Sequence, residues 1–196
     1  INVGTTKTTG SENVLIGRGV AQSTDITGVR NLMMGYMAGN NGCAGAINFN
    51  TFLGAYAGYQ NGCNYNTFIS YYAGHSYNYG RCNVAIGPEA LKGASNSSTG
   101  CSNIAIGDAA GKVHESGNDN IFMGSCSGRC STTGYNNIMM GVFAGCALTT
   151  GHNNFFMGRM AGMMIQTGKC NIALGRLALK GSGTAADNTG VDNIVI

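Results

Sequence analysis

A short motif returns eleven times along this chain, and it limits the possible folds more than any other feature of the sequence. Each copy begins with an Asn, continues with three mainly apolar residues and in most copies ends with a Gly. We call the first residue the repeat Asn and count positions in each coil from it. The repeat Asn residues are Asn13, Asn31, Asn50, Asn66, Asn83, Asn103, Asn120, Asn137, Asn154, Asn171 and Asn193.

The spacing of this motif predicts a parallel β-solenoid. Successive repeat Asn residues are 16 to 22 residues apart, most often 17, whereas helical-hairpin repeats need about 34 to 45 residues. Three apolar residues are also too few for a helix. We expect an all-β fold, a β-roll of about ten to eleven coils in one domain over 1–196. Each coil should hold two short strands and bond to the next coil at ~4.8 Å.

Two further positions recur with the motif. A Gly stands three residues before the repeat Asn in nine of eleven copies, and an Ala stands seven residues after it in eight of ten. The Gly residues predict tight corners. The repeat Asn side chains should stack from coil to coil as an Asn ladder that caps the backbone of the turns.

The composition excludes several classes of protein. Hydrophobic residues make up 43% of the chain, which argues against disorder, and a single Pro excludes collagen. The 33 Gly residues make a helical bundle unfavourable. No apolar run reaches the ~20 residues of a membrane span, so we expect no membrane insertion. The net charge of +3 is scattered, which does not predict a nucleic-acid partner.

The apolar residues of the motif predict self-association. Successive side chains of a strand point to opposite faces, yet both the second and the third residue after the repeat Asn are apolar, as in strands buried on both sides. One file of side chains should fill the coil, and the other should form an outer stripe covered by identical chains. We assign this stripe to the second residues after the repeat Asn; short loops of the same chain are the alternative cover. The candidate stripe is Leu15, Met33, Phe52, Phe68, Phe122, Met139 and Phe156.

The repeat, with a Thr-Gly pair ahead of the Asn, resembles repeats of bacteriophage and other viral tail-fibre proteins. It is also similar to the head repeats of YadA-type trimeric autotransporter adhesins, although those repeats are shorter. The resemblance implies a parallel β-roll that assembles as a homotrimer, located outside the cell or on a virion, where it presents surfaces for attachment to a host cell or matrix. The Thr-Gly pairs begin at Thr9, Thr27, Thr99, Thr133, Thr150, Thr167 and Thr189.

The eight cysteines contain no Cys-x-x-Cys pair, so the usual zinc and thioredoxin spacings are absent. Several of them fall at similar places in consecutive coils, where stacked residues are close enough for a disulfide. The candidate inter-coil disulfides involve Cys43 with Cys63, Cys82 with Cys101, and Cys130 with Cys146. Free cysteines that pack as small apolar residues are the alternative.

Seven of the nine tyrosines lie within coils three and four. Outward tyrosines suit the faces of sugar rings, and aromatic ladders that only stabilise the column are the alternative. The candidate glycan-binding tyrosines are Tyr56, Tyr59, Tyr71, Tyr72, Tyr77 and Tyr79. We expect His75, His114 and His152 to be solvated surface residues rather than metal ligands.

These features favour a structural role over catalysis. The leading hypothesis is a rigid trimeric shaft or head that displays loops for attachment to a receptor or cell-surface carbohydrate, and the chain, which begins and ends within a repeat, reads as a segment of a longer fibre. Ice binding is an alternative, although the recurrent Thr does not alternate along a strand. A polysaccharide-degrading β-helix enzyme is a weaker one, because no carboxylates cluster. We predict no catalytic residues, metal or cofactor.

Overall fold

A computed structural model describes residues 10–22, 27–40, 47–95, 98–181 and 189–196. Eleven strands form one parallel sheet whose order follows the chain, which confirms the predicted β-solenoid. Thr9 and Cys43 lie outside the described residues. The strands are β1 (Val14–Ile16), β2 (Leu32–Met34), β3 (Thr51–Leu53), β4 (Thr67–Ile69), β5 (Val84–Ile86), β6 (Ile104–Ile106), β7 (Ile121–Met123), β8 (Ile138–Met140), β9 (Phe155–Met157), β10 (Ile172–Leu174) and β11 (Ile194–Val195).

Each coil contains one short strand, so the expectation of two strands per coil was wrong. After β3 the chain makes three turns in succession, in which the N–H groups of Ala57, Tyr59 and Asn61 each donate to the carbonyl three residues earlier. Other N–H groups of the same segment donate to neighbouring coils. The backbone is thus paired without a second strand. The described residues form no helix, and therefore none that could span a bilayer.

Positive φ angles at fixed positions explain how so short a coil closes. The residue before each repeat Asn has φ between 51° and 62°, and the sixth residue after it is also in the left-handed region. The fourth residue has φ between 114° and 137°, where glycine is strongly preferred. At Gly124, for example, an added Cβ would lie 2.7 Å from the carbonyl carbon of Gly141 in the next coil. Strand ends therefore favour Gly for two separate reasons.

The interior of the column is filled by the second strand residue of each coil, which corrects the predicted outer stripe. Met33, Phe52, Phe68, Phe122, Met139 and Phe156 are fully buried within the chain, and Leu15 packs against the same core. The Ala residues at the seventh position line the opposite side of this core. Alternation along the strand then turns the first and third residues outward. The strands do have two apolar files, but the outer file consists of the first and third strand residues and not of the second residues assigned to it.

The predicted Asn ladder is present in the structure. From Asn31 to Asn193, the N–H of every repeat Asn donates to the side-chain oxygen of the repeat Asn in the preceding coil. The Nδ2 of Asn137 also donates to Asn120 Oδ1 at 3.1 Å and to the carbonyl of Gly151 at 2.9 Å. Each buried amide is therefore paired on both its donor and its acceptor side, which is what burial of a polar side chain requires.

Candidate functional site

The outer side of the sheet, which we call the strand face, consists of the first and third strand residues of each coil. Twenty of these twenty-two residues are apolar, the exceptions being Thr51 and Thr67. They are partly or largely exposed. Examples are Val14 at 49%, Ile16 at 48%, Met34 at 41%, Met157 at 41% and Ile86 at 36%. A continuous apolar strip therefore runs along the whole sheet.

The size of the strand face is unusual for a surface left in water. At roughly 50 Å² of apolar surface for each outward residue, the strip exposes on the order of 1,000 Å², whereas the largest patch of a typical monomer is about 300 to 600 Å². A standard protein interface buries about 800 Å² per partner. The strand face therefore has the dimensions of an interface.

A second surface, which we call the turn face, consists of the fifth, sixth and ninth residues after each repeat Asn. Contacts between these positions show that they share one side of the column. Tyr56, a sixth residue, packs against Tyr36 at 5.3 Å, against Tyr59 at 5.5 Å and against Tyr72 at 4.9 Å between ring centroids. His75, a ninth residue, stacks on Tyr72 at 4.6 Å. Coils two to four thus present a connected aromatic cluster.

Cations lie at both ends of this aromatic cluster. The guanidinium of Arg18 is 5.9 Å from the Tyr36 ring centroid, and the ammonium of Lys92 is 5.1 Å from that of Tyr72. Burial, and secondly the charge of Lys92, lowers the pKa of His75 to about 4, so this ring is neutral at neutral pH. The aromatic cluster is therefore uncharged between two positive groups.

The predicted tyrosines divide between the surface and the core. Tyr56, Tyr59, Tyr71 and Tyr72 lie on the turn face, and Tyr79 is exposed on another corner of its coil. Tyr77 is fully buried, so its assignment to a glycan-binding surface was wrong. Its ring packs against Phe68, burial raises the pKa of its phenol, and Asn103 donates to its hydroxyl at 3.3 Å.

The eleventh position explains the burial of Tyr77 and was missed by the sequence analysis. It is an interior corner occupied by a different residue in almost every coil, so no recurring residue type indicates it in the sequence. In six of the described coils it holds a buried residue, and in coil five the eleventh residue, Ala94, is exposed. The buried residues are Asn61, Tyr77, His114, Ser131, Leu148 and Ile165. A Cβ on Gly80 would lie 2.4 Å from the Tyr77 ring, and one on Gly151 would lie 2.5 Å from Leu148. Where a Gly stands three residues before the repeat Asn, it therefore leaves room for this side chain.

His114 is fully buried at this corner, so the expectation of a solvated histidine was wrong. Its Nε2 lies 2.8 Å from the carbonyl of Gly117. Its Nδ1 has no partner with hydrogen-bond geometry, and neither does the buried hydroxyl of Ser131. Burial lowers the pKa of His114 to about 4, although the backbone of Gly117 and Ser131 slightly favours the charged ring. His75 is half-buried, and His152 stacks on Tyr135 at 4.6 Å.

Two of the predicted disulfides are not formed. Cys82, Cys101, Cys130 and Cys146 are free thiols. Cys82 is one residue before its repeat Asn and Cys101 is two before, so this pair is one position out of register. Cys130 and Cys146 are neighbours, with the N–H of Cys130 donating to the carbonyl of Cys146 at 3.0 Å, but their sulfur atoms are not bonded to each other. Burial raises the pKa of Cys146 to about 11, which keeps this thiol protonated and unreactive. The pairing of Cys63 with Cys43 stays a prediction.

The described residues contain no group of three or more His, Cys, Asp or Glu side chains that could hold a metal ion. Glu12 pairs with Arg30, and Glu89 pairs with both Lys92 and Lys112, so these carboxylates are engaged in ion pairs. Hydrogen bonds to the two lysines lower the pKa of Glu89.

Comparisons with protein-family models, with curated proteins and with solved structures gave no match for this chain. The resemblance to tail-fibre and adhesin repeats therefore stays a prediction, and the functional argument rests on the strand face and the turn face.

Proposed function

We propose that the chain is a structural fibre or adhesin segment, a rigid solenoid that self-associates as a homotrimer and carries surfaces for attachment to a host cell or matrix. The observation that carries this proposal is the strand face, which exposes apolar side chains in every coil. Covering such a strip at ~25 cal/mol per Å² supplies on the order of 25 kcal/mol per chain before the costs of association. A strand face left in water would not gain that stabilisation.

Identical chains are the simplest cover for the strand face. Each column presents the same strip along its length, so three columns arranged around a common axis would bury three equal strips against one another. The resemblance to trimeric fibres and adhesin heads implies the same number. This proposal places the protein outside the cell or on a virion surface.

The construction of the column supports a mechanical role. Neighbouring coils are joined by the strand pairs, by the Asn ladder and by backbone bonds of the turns. Each coil contacts its neighbours in the same register along the described sheet. Such a stack resists bending because bending would break bonds in several files at once, and this suits a spacer that holds a binding surface away from its base.

The test places charges on the strand face. We expect the double variant Ile86→Lys, Met123→Lys to change the native mass from three chains to one, because two buried cations would be left unpaired in each interface. The matched control is Ser102→Lys, Asn136→Lys, which adds the same charge at exposed residues directly before repeat Asn residues. Light scattering gives the mass, and circular dichroism checks the fold. Equal masses for the two double variants would contradict the proposal.

Ice binding is a second candidate because the Thr residues before the corner Gly form an exposed file. Thr133, Thr150 and Thr167 occupy the same position in three successive coils. The neighbouring Thr132 and Thr149 donate their hydroxyls to carbonyls of the next coil, at 3.3 and 3.0 Å, which leaves one file instead of a flat two-file surface. Thermal hysteresis that disappears in Thr150→Val would favour this candidate over the fibre.

A further inference from the structure

We propose that the turn face binds an acidic polysaccharide whose chain runs along the column. This inference rests on the proposed attachment role and names the chemical class of the ligand. It is carried by two observations on the turn face, its concentration of basic residues and its connected aromatic cluster.

The basic residues of the chain are concentrated on the turn face. Seven of the eleven Lys and Arg residues occupy its three positions, whereas only two of the eight acids, Glu89 and Asp108, do so. The seven are Arg18, Lys92, Lys112, Arg129, Arg159, Arg176 and Lys180. This side of the column is therefore more positive than the chain as a whole, which favours an anionic partner.

The ninth position shows the arrangement most clearly. From coil three to coil seven it holds two rings and then three cations, in the order Tyr59, His75, Lys92, Lys112 and Arg129. Stacked coils are ~4.8 Å apart, so like charges at this spacing repel each other. Glu89 pairs with Lys92 at 2.7 Å and with Lys112 at 2.5 Å. Arg129 is exposed and forms no ion pair with a described residue.

The aromatic cluster favours sugars over bases. Its rings pack against one another, edge to face for Tyr36 with Tyr56 and for Tyr71 with Tyr72. Rings at these angles do not form one flat platform on which successive bases could stack, and they present ring faces and phenol hydroxyls to a ligand lying on top. Tyr71 is the most exposed of them, at 54%. A carboxylated sugar offers a weakly polar ring face to the tyrosines and a carboxylate group to the basic residues of the turn face.

The first experiment measures binding of a short oligogalacturonide by calorimetry at low and high salt. We expect binding that weakens with salt, because the attraction is between charges. The methyl-esterified oligomer, which has the same sugar rings without the charge, should not bind. Equal binding of the two oligomers, or no binding of the charged one, would overturn the proposal. Tighter binding of single-stranded DNA than of the oligogalacturonide would overturn it in favour of a nucleic-acid ligand.

Variants locate the surface. We expect Arg129→Gln and Tyr71→Ala each to weaken binding about tenfold. Their matched controls are Arg81→Gln and Tyr135→Ala, which remove the same residue types from exposed positions two residues before a repeat Asn. Losses in the controls as large as those in the turn-face variants would contradict the assignment. The native mass is measured on the same samples. Binding that is unchanged in both turn-face variants, at an unchanged mass, would reject this inference alone and leave the proposed trimer standing. A changed mass in Tyr71→Ala would indicate a second copy as the occupant.

Discussion

Two corners are buried in most of the described coils, and their residues are selected differently. The corner of the repeat Asn holds the same residue in all eleven coils, whereas the eleventh position, where it is described and buried, holds Asn, Tyr, His, Ser, Leu or Ile. The first corner consists of backbone groups that need an amide to pair with. The second has different contacts in different coils: Leu148 packs there as an apolar residue, whereas Asn61 and His114 also lie within hydrogen-bond distance of backbone carbonyls. A corner with the same hydrogen bonds in every coil fixes the residue type, while a corner whose contacts change leaves it open.

We expect the largest effect from a substitution that removes the hydrogen bonds of the Asn corner. Asn120→Ala would leave the N–H of Asn137 and the carbonyl of Gly134 without their side-chain partners inside the column. Each unpaired buried group costs about 1 to 3 kcal/mol, so we expect unfolding free energy to fall by about 4 kcal/mol. Chemical denaturation at one protein concentration measures it.

The control for this change is Asn118→Ala, since Asn118 is exposed and its Oδ1 accepts one bond, from the N–H of Cys101 at 2.8 Å. We expect it to cost about 1 kcal/mol. Similar losses for the two variants would show that buried pairing is not what fixes the repeat Asn.

The second prediction concerns His114 at the variable corner. Its pKa is about 4 in the folded chain and 6.5 in the unfolded one, so the unfolded chain binds more protons between these values. Stability should be full above about pH 6.5 and fall by about 3 kcal/mol as the pH drops to about 4. Denaturation curves across this range measure the loss. His75 shifts in the same direction but is only half-buried, so it adds less.

His114→Leu should remove most of this pH dependence without unfolding the protein, because Leu148 fills the same position in another coil. A pH profile unchanged by the substitution would mean that the sensitivity arises elsewhere, and a variant that does not fold would mean that this corner does not accept an apolar residue in coil six.

The third prediction compares two fully buried serines in one coil. The Ser127 hydroxyl donates to the carbonyl of Met139 at 2.7 Å, whereas the Ser131 hydroxyl, at the variable corner, has no partner. We expect Ser127→Ala to lower the unfolding free energy by about 1 to 2 kcal/mol and Ser131→Ala to leave it unchanged or raise it by up to about 1 kcal/mol. The midpoints of urea denaturation of the two variants provide the measurement. If Ser131→Ala lowers the unfolding free energy as much as Ser127→Ala does, the prediction is wrong.

The smallest effect concerns Ser70, which stands where the other complete coils have Gly. Its φ of 116° lies in the region that only Gly adopts without strain. We expect Ser70→Gly to stabilise the fold by about 1 kcal/mol, seen as a higher Tm. Gly54→Ser is the reverse change in the preceding coil, where an added Cβ would lie 2.6 Å from the carbonyl of Ser70. A lower Tm for Ser70→Gly would show that the serine is favoured at this strand end.

The two corners also show how far sequence reasoning reached. The Asn ladder and the parallel coils were predictable because hydrogen-bonded positions repeat their residue type. The interior position of Tyr77 and His114 was not, because the residues at that position share neither a residue type nor a set of hydrogen bonds. The sequence analysis assigned the inner and outer files of the strands the wrong way round for a related reason. Both files are apolar, and only the curvature of the coil decides that Phe122 points inward and Met123 outward. The turn face could be recognised only from the structure, because the residue types at its three positions vary from coil to coil.

The most direct test of the proposed fibre is the order in which methionines react with a mild oxidant in the native protein. Met157 on the strand face is more exposed within one chain than Met163 on the turn face, while Met139 inside the column is buried and serves as the unreactive reference. If sister chains cover the strand face, Met157 should react more slowly than Met163. Faster oxidation of Met157 than of Met163 would mean that the strand face is open to water and would contradict the account.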